Sequence, residues 1–119
     1  MDKAIYGVNC NHPDIATSYG NIGNTYNSLG EYTSALEYYT KSLEMKKAIY
    51  GVNCNHPDIA TTYGNIGSTN DSLEEYTSAL EYYTKSLEMM KIVYGTHATH
   101  PHIAALTQCI ARVRKKICT

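Results

Sequence analysis

The sequence predicts an all-α fold, a solenoid of helix-turn-helix units with two full hairpins and a final helix. Three observations predict it. A unit of 44 residues occurs twice and then begins a third time. Within the unit, apolar residues recur at helical rather than strand spacing. Each unit also carries a proline placed to open a helix and a glycine placed to close one. Residues 3–46 and 47–90 differ only at Ser18/Thr62, Asn24/Ser68, Tyr26/Asn70, Asn27/Asp71, Gly30/Glu74 and Lys46/Met90. A partial third unit, 91–119, keeps Tyr94-Gly95 and His100-Pro101 in phase. Units of this length cannot bury an apolar face alone, so they stack, and residues 1–119 read as one repeat domain.

The first helix is expected over 13–29. Pro13 suits a first helical position because its missing N–H is not needed there, and Asp14 complements the positive helix end. Ile15, Tyr19, Ile22 and Tyr26 then recur along one face, with Ala16, Gly20 and Gly23 forming a stripe of small residues beside them. Two interior glycines cost about 1 kcal/mol each relative to alanine, so their use must be close approach of another helix, here expected to be a preceding long one. Gly30 is a natural left-handed residue after the helix end. The second helix is expected over 31–50, with Tyr32, Ala35, Leu36, Tyr39, Ser42 and Leu43 inward and Glu37, Lys41 and Glu44 in solvent. The same reasoning places helices over 57–73, 75–94 and 101–117.

Tyr19-x-x-Ile22-Gly23-x-x-Tyr26 followed by Ala35-x-x-x-Tyr39 resembles the tetratricopeptide pattern, and Tyr63, Ile66, Gly67, Ala79 and Tyr83 repeat it. The second unit departs at Asn70 and Glu74, and the third has Thr107 and Arg114 in place of the aromatics. The long period, the extended second helix and the Tyr-Gly…His-Pro-Asp-Ile-Ala junction are similar to kinesin light chain repeats. That resemblance covers nearly the whole chain. It implies a protein-interaction module that grips an extended peptide in a concave groove lined by the first helix of each hairpin.

On this expectation the groove residues are Thr17, Asn21, Asn24 and Ser28 of the first unit and Thr61, Asn65, Ser68 and Ser72 of the second. An amide offers both a donor and an acceptor, which matches a peptide group without demanding a particular side chain. The alternative is a solvated polar face, which any surface helix needs. The stripe has no lysine or arginine to clamp a terminal carboxylate, and Asp71 biases the second unit towards a partner with a basic residue. Two functions stay open: a peptide-binding adaptor or scaffold, and a structural or oligomerisation segment of a longer solenoid with no peptide ligand.

Other classes find little support. The net charge of −1 gives no global field for nucleic acid or an anionic membrane, and no apolar run approaches a membrane span. The basic residues Arg112, Arg114, Lys115 and Lys116 read as dipole-compensating cations near a helix C-terminus. Cys10-Asn11-His12 and Cys54-Asn55-His56, with His97, His100 and His102, lack spacing that converges on one ion, so no metal or cofactor is expected. No nucleophile lies beside an evident base, so no catalytic residue is assigned. With no signal peptide at its start, the chain is expected to keep its four cysteines as reduced thiols in the cytoplasm, and a Cys10–Cys54 bridge would strain the geometry. The two ends of the stack are expected to expose apolar surface and to support self-association.

Overall fold

A computed structural model of the chain describes residues 13–51, 56–95 and 101–118. Five helices account for most of them: α1 (Pro13–Ser28), α2 (Tyr32–Tyr50), α3 (Pro57–Ser72), α4 (Tyr76–Tyr94) and α5 (Pro101–Cys118). The fold is an all-α repeat solenoid, with no strand among the described residues. Each boundary lies within one residue of the sequence expectation. α3 shows why the His-Pro pair opens a helix: His56 is the N-cap, its Nδ1 accepting the Asp58 backbone N–H at 3.1 Å, and Pro57 takes the first helical position. The His56 ring also stacks on Tyr50 at 3.8 Å, tying the end of α2 to the start of α3.

α1 and α3 end alike. The Glu31 N–H donates to the Tyr26 carbonyl at 2.9 Å and the Gly30 N–H to that of Asn27 at 3.1 Å, and Glu75 and Glu74 repeat this onto Asn70 and Asp71. The motif needs a left-handed residue, supplied by Gly30 at φ 80° and, in the second unit, by Glu74 at φ 63°. A side chain in that region costs about 1–2 kcal/mol. Glu74 is exposed and gives nothing visible in return. Glu74→Gly is therefore expected to raise stability by about 0.5–1 kcal/mol, the gain being trimmed by glycine's greater freedom when unfolded. An unchanged or lower urea midpoint would contradict this.

Within a hairpin the two helices meet on the small-residue stripe. Tyr39 lays its ring against Gly23, and the Ser42 hydroxyl donates to the Ala16 carbonyl at 2.8 Å. Tyr83 against Gly67, and Ser86 to Ala60 at 2.7 Å, repeat the arrangement. This corrects the sequence reading: Ala16, Gly20 and Gly23 receive the hairpin's own second helix, not a preceding one. The preceding helix takes the Ile-Tyr-Ile face instead. α2 covers that face of α3, so Ile59, Tyr63 and Ile66 join Ala35, Tyr39 and Leu43 in one buried cluster. On α1, which no described helix precedes, Ile22 is 39 % exposed where its counterpart Ile66 is 4 %.

Candidate functional site

The first helices of successive units, α3 and α5, flank a cleft of about 270 Å³. Thr61, Asn65 and Ser68 of α3 form its polar wall, α4 supplies Tyr83, Ser86 and Met90, and Leu106 and Cys109 of α5 close the far side. The sequence-derived set is thus brought together only in part. Ser72, one turn beyond Ser68, is exposed and outside the cleft. Thr17, Asn21, Asn24 and Ser28 are exposed along α1.

Asn24 is the exception in chemistry. Its side-chain oxygen accepts the Tyr39 hydroxyl at 2.5 Å, so part of its acceptor capacity is already used within the hairpin. One lone pair of that oxygen and the amide N–H groups remain to offer a ligand, which corrects the expectation of a wholly unengaged donor–acceptor pair. Burial pushes the Tyr39 phenol above its ordinary range, so this O–H stays a donor.

Asp71 is a second correction. Both its oxygens take the Arg112 guanidinium, and the Tyr83 hydroxyl donates to it at 3.3 Å. Its carboxylate is therefore neutralised inside the chain and leaves no bias towards a basic partner. The hydrogen bond to Asp71 holds Arg112 firmly protonated. Burial, more than Cys109 and Asp71 nearby, drives the Tyr83 phenol well above the tyrosine range. Arg112 consequently spans from α5 to α3, rather than serving only the helix dipole; Lys115 and Lys116 are the cations in the last turn.

Sequence reasoning missed one cation. Lys46 occupies in the first unit the place that Met90 holds in the cleft floor. Its ammonium is half-buried and donates to the Thr62 hydroxyl at 3.0 Å. Desolvation lowers its pKa against the opposing pull of Asp58. The Lys46/Met90 difference between the units was the available signal, and its meaning needed the neighbouring helix.

Of the residues considered for metal binding, Cys10, His12, Cys54, His97 and His100 lie outside the described residues, as does the Cys10–Cys54 pair. His56 caps α3, and His102 lines the cleft. Among the described residues no cluster of three potential metal ligands occurs, and Cys109 and Cys118 are free thiols. No helix among them is long and apolar enough to cross a membrane.

A comparison with curated proteins finds no match. A family model for the tetratricopeptide repeat, a protein-interaction module, matches residues 15–58 and again 59–102. Those two matches take in most of the sequence and run through the same hairpins that seat Tyr39 on Gly23 and Tyr83 on Gly67. The chain belongs to the tetratricopeptide repeat family.

Proposed function

We propose that the chain binds an extended peptide segment of a partner protein along the face formed by the first helices of its hairpins, acting as an adaptor or scaffold and not as a catalyst. The observation that carries this reading is the cleft between α3 and α5, where three groove residues, Thr61, Asn65 and Ser68, face an apolar side built from Met90 and Leu106. That combination suits a peptide whose main chain bonds the polar wall while one apolar side chain fills the cleft. Asn21 and Asn65 sit at equivalent places one repeat apart and would hold successive stretches of the same peptide backbone. Asn24, Thr17, Ser28 and Ser72 are secondary contacts in this reading. The likeness of the junctions to kinesin light chain repeats points the same way.

The reading is tested by a fluorescence-anisotropy screen of extended peptides against the chain. Saturable binding is expected, and replacing Asn21 and Asn65 together by alanine should weaken it about tenfold or more without altering the helical circular dichroism. Unchanged affinity in that variant would place recognition elsewhere. The exposed Ile22 on α1 favours a second reading, a segment of a longer solenoid with no peptide ligand. Under that reading the screen finds no saturable binder.

A further inference from the structure

Two of the six differences between the repeats change together with a residue in the next unit. In the first unit Lys46 donates to Thr62, and 44 positions on, the equivalent pair is Met90 and Leu106. Met90 is buried with Ala60 and Ile103, and Leu106 packs against them. A polar pair at one junction has become an apolar pair at the next. Likewise, Asp71 accepts Arg112, while the equivalent places one unit earlier hold Asn27 and Ser68, both short and uncharged. The Asp71 carboxylate is 12 % exposed, so it is largely out of water and depends on this partner.

We propose that the pairs Met90–Leu106 and Asp71–Arg112 key α5 to the second hairpin and exclude α1 or α3 of a second copy from the same seat. The near-identical units are thereby held to one order. If α3 of another copy took the place of α5, Thr62 would face Met90, and Ser68 would face a carboxylate stripped of its guanidinium. α1 would bring Ser18 and Asn24 to the same two places. The reverse error is penalised as well. α5 seated on the first hairpin would put Leu106 beside the half-buried Lys46 ammonium and remove its hydroxyl partner, while Arg112 would meet Asn27. Each wrong pairing leaves a desolvated charge unpaired, which is specificity by repulsion of the competitor.

The outer face of α5 works in the same direction. The place held by Gly23 and Gly67 is Ala111 there. A Cβ at either glycine would stand 2.8 or 2.9 Å from the tyrosine ring that fills the notch. A second copy's α2 or α4 would therefore meet the Ala111 methyl if its tyrosine took a seat on α5.

Sedimentation velocity and native mass spectrometry of the whole chain, up to about millimolar concentration, test the proposal, because a copy must compete with an α5 tethered at about that effective concentration. The unaltered chain is expected to keep one mass throughout. Met90→Lys, Leu106→Thr, Asp71→Asn and Arg112→Ser together make the second junction match the first. That variant is expected to show a weight-average mass rising about twofold or more with concentration. A constant mass in the variant, or association of the unaltered chain, overturns the proposal. Should the fourfold variant lose its helical circular dichroism, Lys46→Met, Thr62→Leu, Asn27→Asp and Ser68→Arg together decide instead. They make the first junction match the second at both pairs, so the same rise supports the keys and a constant mass refutes them.

Discussion

Tyr39→Ala is expected to cost about 3–5 kcal/mol, the range for truncating an aromatic ring in a packed core. Tyr39 is 1 % exposed. Its ring is shared by two contacts, the Gly23 notch of its own hairpin and the cluster with Leu43, Ile59, Tyr63 and Ile66 that joins the hairpins. Removing it opens a cavity where α1, α2 and α3 converge, and the backbone around it is fixed by the Ser42–Ala16 hydrogen bond and cannot collapse freely. Against a total stability of about 5–15 kcal/mol for a domain, this is a large share. Tyr39→Phe separates ring from hydroxyl. It keeps the packing and loses only the bond to Asn24, whose amide is exposed and rehydrates, so about 1 kcal/mol or less is expected. Asn21→Ala, on the open side of α1, should change stability by less than about 1 kcal/mol. Urea titrations of the three variants give the order. A larger loss for Asn21→Ala than for Tyr39→Ala would mean that the faces of α1 and α2 are wrongly assigned.

The helices themselves were legible in the sequence because their signals are local. His-Pro fixes an entry, and a left-handed residue fixes an exit. The repeat doubles every observation. Glu74 shows how far this goes: the unit imposes its left-handed turn even where glycine is missing. Faces were half legible. Periodicity separated the apolar stripe from the small-residue stripe, but it cannot say which neighbour covers which, and the two were assigned in the wrong order. The site was least legible. Asn24 and Tyr39 are 15 positions apart and Asp71 and Arg112 are 41 apart, so their bonds exist only once the helices are stacked. Side chains that looked available on a helix projection are therefore spent on the fold. What the sequence did contain was the set of six differences between the units, of which Lys46/Met90 and Asn27/Asp71 become intelligible when read against their partners one unit on.

The glycines of the small-residue stripe offer the most discriminating prediction, because two neighbours on one helix face should answer the same substitution with opposite signs. In isolation, alanine at either place would favour the helix by about 1 kcal/mol. At Gly20 nothing opposes that gain: a Cβ there would meet the Ser42 hydroxyl oxygen at 3.6 Å, an ordinary contact. Gly20→Ala is expected to stabilise by up to about 1 kcal/mol. At Gly23 a Cβ would stand 2.8 Å from Cδ1 and 2.9 Å from Cε1 of Tyr39. The ring cannot yield, since its other side is enclosed by the core cluster and its hydroxyl is anchored to Asn24. Relief requires α1 and α2 to part, which strains the Ser42–Ala16 bond one turn away. Overpacking of this kind costs about 1–3 kcal/mol, and subtracting the propensity gain leaves Gly23→Ala destabilised by up to about 2 kcal/mol. Gly67→Ala should behave like Gly23→Ala, its Cβ standing 2.9 Å from the Tyr83 ring. Combining Gly23→Ala with Tyr39→Leu gives the added methyl room and should cost less than the sum of the two single changes, a coupling that a double-mutant cycle reads directly. Two stabilising single substitutions, or strict additivity with Tyr39→Leu, would show that the glycine notch does not set the distance between the helices of the hairpin.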